Sequence, residues 1–71
     1  MNNITVNIKN QSGETLNTVG MPCVPREGEK VAFYDQGTLI VGYVVAVAYL
    51  IYPNGEFNIA DVTLTNITKY A

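Results

Sequence analysis

The stretch TLIVGYVVAVAYLIYPNGEFNIADVTLTNI, residues 38–67, decides the fold. Its first half, Thr38 to Tyr52, is rich in the β-branched and aromatic residues that fit a pleated, half-buried surface. Tyr52-Pro53-Asn54-Gly55-Glu56 then suits a type I turn, with Pro53 at the second position and Gly55 in the left-handed position after it. The second half, from Glu56 to Ile67, returns as the partner strand. That loop sets Tyr52 opposite Glu56, Ile51 opposite Phe57 and Tyr49 opposite Ile59. Farther along, Val62 and Leu64 fall one step out of phase with Phe57 and Ile59. One extra residue at Ala60-Asp61, a β-bulge, restores the phase. Val47 then meets Val62, and Val45 meets Leu64. A slip of one residue would turn the whole apolar set outward.

This register divides the long strand into two faces. Val45, Val47, Tyr49 and Ile51 are expected in the core. Ile40, Gly42, Val44, Ala46, Ala48, Leu50 and Tyr52 form the other face, small, apolar and uncharged. The solvent face of an antiparallel sheet is ordinarily polar. The face is therefore covered either by the rest of the chain or by a partner, and Ile40, Val44, Ala46, Ala48, Leu50 and Tyr52 are the candidate partner-binding residues. On this reading Val44→Lys or Ala46→Glu disturbs association, whereas Val47→Lys unfolds the chain.

Working outward, Ile4, Val6 and Ile8 alternate with Thr5, Asn7 and Lys9, a half-buried strand. Asn10-Gln11-Ser12-Gly13 is a turn, with Gly13 free to take positive φ. Thr15 to Val19 is a short return strand. Gly20 to Glu29 holds Pro22 and Pro25, each lacking a backbone donor, so it is loop or sheet edge. Lys30 to Tyr34 is the next strand, and Asp35-Gln36-Gly37 turns into the long one. The expectation is a single all-β domain over residues 1–71, a small antiparallel barrel of about five strands with a long bulged hairpin.

Composition agrees. Val, Ile, Thr, Tyr and Phe supply 29 of the 71 residues, while helix formers are scarce. With 48% hydrophobic and 14% charged residues the chain is not a disordered tail. A domain this short buries only about 60% of its unfolded surface, so its core is thin.

Charge and cysteine narrow the function. Lys9, Arg26, Lys30 and Lys69 are scattered, and the pI is near 4.7. Nucleic-acid binders cluster their basic residues to neutralise phosphates, so the balance argues against that partner. Cys23 is alone and forms no intrachain disulfide. No basic region followed by an apolar run opens the chain. A reducing, cytoplasmic compartment is expected. Residues 36–55 carry no charge, but their apolar part is shorter than a membrane span and strand-like, so no membrane is expected.

Val24-Pro25-Arg26-Glu27-Gly28-Glu29-Lys30-Val31, followed by Gly42-Tyr43-Val44-Val45-Ala46-Val47, resembles a pattern of SH3-like small β-barrel proteins among phage and mobile-element accessory proteins. The pattern is a Pro-Arg-x-Gly-Asp/Glu-x-Val entry, an aromatic-x-Val strand and a hairpin back. It covers Val24 to Ile67. The resemblance implies an SH3-like barrel of the phage type, in a bacterial host's cytoplasm. The N-terminal hairpin and the uncharged central strand depart from it, and no proline-peptide groove maps onto this chain.

Catalytic constellations are missing. Without histidine the commonest general base and metal ligand is absent. Glu27 and Glu29 flank Gly28, yet no loop offers the six to eight oxygens calcium takes. No catalytic residue, metal, cofactor or enzyme activity is expected. The leading expectation is a protein-interaction module that binds itself or a host protein as an inhibitor. The alternatives are a structural subunit of a phage particle and a small-ligand or nucleic-acid binder using Tyr34, Tyr43, Tyr49 and Tyr52.

Overall fold

In the computed structural model, which describes residues 3–55 and 59–70, the chain is five strands with no helix among the described residues. They are β1 (Ile4–Lys9), β2 (Thr15–Met21), β3 (Lys30–Asp35), β4 (Thr38–Leu50) and β5 (Ile59–Tyr70). They make one curled, half-barrel sheet in the order β2-β1-β5-β4-β3. All-β character and the strand count agree with the sequence reading.

One pairing corrects the all-antiparallel expectation: β1 and β5 run parallel, with Val6 beside Ala60 and Ile8 beside Val62. The order explains why. β2 and β3 are consecutive in the chain but lie at opposite ends of the sheet, so the connection must cross from edge to edge. Four strand spacings are about 19 Å on a flat sheet. Eight residues, 22–29, reach roughly 27 Å when extended. The crossing is within reach, and Val24 packs against the core on the way. The loop ends on β4, where Gly28 N–H donates to the Val44 carbonyl and Val44 N–H donates to the Glu29 carbonyl, both at 2.9 Å.

The turns follow their residue types. Asn10 accepts on Oδ1 from the Ser12 and Glu14 amides while Gly13 takes φ 88°. Gln36 and Gly37 at φ 52° and 84° make the two-residue turn between β3 and β4, a geometry whose twist matches that of the strands. Gly55 N–H donates to the Tyr52 carbonyl, and Gly55 has φ 87°, as the turn reading requires. The expected pairs Tyr52–Glu56 and Ile51–Phe57 lie outside the described residues.

The register of the long hairpin keeps the expected pair Val47–Val62 but otherwise differs from the expectation. Ile59 pairs with Leu50 rather than Tyr49, and pairing runs without a break from Ile59 to Thr63. No bulge falls at Ala60-Asp61. Instead β4 carries the extra residue: Val44 pairs with Leu64 and Ala46 with Thr63, leaving Val45 over. A second irregularity, on β5, lies between the pairs Val41–Thr68 and Tyr43–Thr65 and includes Asn66, at φ 53°. Asn is among the few residues that enter this left-handed region readily.

The β4 bulge redistributes the faces. Before it, Ile40, Gly42 and Val44 point into the core; after it, Val47 does. The core is Val6, Ile8, Ile40, Val44, Ala60, Val62 and Leu64, each no more than 3% exposed. Val19, Met21, Val31, Phe33, Val47 and Ile67 pack around its central cluster. Burying such a side chain stabilises by about 1.5–3 kcal/mol, so a handful of them carries a small domain. No buried side-chain nitrogen or oxygen among the described residues lacks a partner.

Candidate functional site: the apolar segment of β4

The outer face of the sheet divides by chemistry. Over β2, β1 and β5 it is polar. Thr18 Oγ1 donates to Asn7 Oδ1 at 2.9 Å, and Asn7 Nδ2 donates to Asp61 Oδ1 at 3.0 Å. Lys9 Nζ stands 3.3 Å from the other Asp61 oxygen. These residues meet because Asn7 and Asp61 are partners in the parallel ladder and Lys9 follows two residues on. The Asn7 amide, with help from the Lys9 ammonium, holds the Asp61 carboxyl below its ordinary value of 3.8 against the opposing effect of burial, which outweighs either Lys9 contribution alone.

A depressed carboxylate pKa stabilises the fold above the unfolded value and is lost as pH falls through the folded one. Stability should therefore decline below about pH 4. Asp61→Asn should flatten that acid limb in denaturation measured between pH 2 and 7. An acid limb of unchanged steepness in the variant would remove Asp61 from the account. Asp61 is over a third exposed, so solvent screening keeps the contribution small.

Over β4 the character changes. Leu39, Val41, Tyr43 and Val45 share the outer face with Tyr34 and Tyr70, which flank Leu39 on the neighbouring strands. Beyond the bulge Ala46, Ala48 and Leu50 take over that face. Among the described residues eight large apolar side chains are exposed, and six of them fall between Tyr43 and Tyr52: Tyr43, Val45, Tyr49, Leu50, Ile51 and Tyr52. Ile51 is 63% exposed and Leu50 52%.

The sequence-derived set is therefore split. Ala46, Ala48, Leu50 and Tyr52 are exposed, as a contact surface needs. Ile40 and Val44 are corrected: both are 3% exposed and belong to the monomer core, because the bulge sits after them. Conversely Val45, Tyr49 and Ile51, expected inside, are exposed, and of that set only Val47 packs against the core. Sequence reasoning missed Val45 and Ile51 as surface residues, and offered Tyr43 and Tyr49 as such only in the tyrosine-platform alternative. An apolar strand with no polar alternation gives no signal of which side faces water.

The four tyrosines of the alternative reading do not share one platform. Tyr34 and Tyr43 lie on the outer face, Tyr49 follows Val47 on the other, and Tyr52 lies past the end of β4. A shallow open cleft of about 350 Å³ lies under the crossing loop, lined by Met21, Val24, Pro25 and Val31 with Cys23 at its rim. No group of three acidic or thiol ligands is found among the described residues. No described helix is long and apolar enough to cross a membrane. No family model, curated protein or solved structure matches the chain.

Proposed function

We propose that the protein is a non-enzymatic interaction module that works by burying residues 43–52, the end of β4 and the two residues after it, against a protein surface, its own or another's. The concentration of six of eight exposed large apolar side chains in ten residues carries this reading. Contiguous exposed apolar surface of this kind marks interaction sites. Aromatic side chains suit the role because they offer a large contact area at low entropy cost. The polar network over Asn7 and Asp61 borders the segment on the outer face of the sheet.

The test is the double variant Leu50→Glu/Ile51→Glu. Both positions are exposed, so its melting temperature should stay within a few degrees of the parent. Its association, followed by sedimentation and by capture from native-host extract, should weaken at least tenfold. A variant that associates as the parent does would refute the proposal.

A further inference from the structure

We infer that the free edge of β4 at Val45–Ala48 pairs antiparallel with the same edge of a second copy, joining two sheets into one. This rests on the proposed interaction surface and names its partner and mode. The pairing of β3 with β4 ends at Lys30 and Tyr43, and the main-chain groups of Val44 are taken by Gly28 and Glu29. From Val45 to Ala48 the strand has β5 on one side and no described strand on the other. Native sheets guard such edges with charges or proline. The outer strand β3 has Lys30 and Asp35 at its ends, and β2 carries polar Asn17 and Thr18. β4 has neither charge nor proline along its 13 residues.

That neutrality selects the occupant. A charged strand would lose hydration at this edge without gaining a counter-charge, whereas a second β4 is equally neutral and meets no like charge. An antiparallel arrangement is two-fold symmetric, so it closes as a dimer rather than growing into a fibre. The flanking tyrosines add to the area that a second copy covers. Tyr43, Tyr49 and Tyr52, at about 200 Å² each and roughly half exposed, flank the paired edge and offer about 300 Å² beside the strand contact itself. A standard interface uses about 800 Å² per partner. Ala46 and Ala48 present small side chains on the outer face, which leaves the approach of the second backbone unobstructed.

Main-chain pairing has a signature that face-to-face contact lacks. In the parent protein, exchange of those Val45–Ala48 amides that point away from β5 should slow at least tenfold as concentration rises from micromolar to millimolar, in step with dimer formation by sedimentation. Ala46→Glu, at an exposed position, should remain folded, stay monomeric and lose this protection. A parent that is monomeric at millimolar concentration overturns the inference while leaving binding to other proteins open. A dimer whose edge-facing amides exchange as in the monomer also overturns it, and leaves the exposed face as the contact. Undiminished dimerisation of Ala46→Glu would do the same.

Discussion

Val44→Lys should unfold the protein, while Val45→Lys, one residue along, should leave it folded. Val44 is 3% exposed and sits in the central cluster with Ile8, Val62 and Leu64; Val45 is 44% exposed. A lysine at 44 would bury an unpaired ammonium among aliphatic side chains, and no acidic residue belongs to that cluster. Such substitutions cost upward of about 4 kcal/mol. At 0.05–0.15 kcal/mol per residue a chain of this length has roughly 4–11 kcal/mol in total. The 45 variant places the same charge in water and should cost under about 1 kcal/mol. Thermal melts of the two proteins, followed by far-UV circular dichroism, decide it. The register expected from sequence demands the reverse, with 45 inside and 44 outside. A folded Val44→Lys beside an unfolded Val45→Lys would therefore reinstate it.

That contrast shows where sequence reading reached its limit. Strands with one polar side were legible. In β1 the alternation of Val6 and Ile8 with Asn7 and Lys9 matches the burial found, and its ends fall where expected. The turns at Gly13, Gly37 and Gly55 were legible because positive φ leaves few residue choices. A bulge in the long hairpin was expected from a phase break on β5, whereas the bulge found is on β4. On β5 the buried residues Ala60, Val62 and Leu64 alternate without a break. The apparent phase break came from treating Ile59 as core. On β4 the true break lies among Val44, Val45, Ala46 and Val47, where both alternations are apolar and periodicity is silent. The parallel pairing of β1 with β5 was hidden for another reason. It follows from where the 22–29 loop carries the chain, and no local pattern encodes that. The exposed apolar residues fall in the strand that the sequence singled out, with a phase error that exchanged part of each face.

The tightest spot in the core yields the second large effect. Leu64 is fully buried, and a methyl group added at Gly42 would lie 3.0 Å from its Cβ, 3.1 Å from its Cδ1 and 3.3 Å from Ile67 Cγ1. Glycine stands at 42 because the irregular pairing of β4 with β5 brings these side chains against the strand there. Leu64→Ala should cost about 2–5 kcal/mol, from lost transfer free energy and the cavity left behind. Gly42→Ala should cost about 1–3 kcal/mol, since it crowds a packed site. The two effects should not add. Truncating Leu64 removes the Cδ1 contact and frees the volume into which an alanine at 42 can move, though the Cβ contact remains. The double variant should therefore be more stable than the sum of the singles predicts by about 1 kcal/mol, within the range seen for touching residues. Chemical denaturation of the parent, both singles and the double measures this coupling. Additivity to within about 0.3 kcal/mol would show that Gly42 is required by the backbone and not by Leu64.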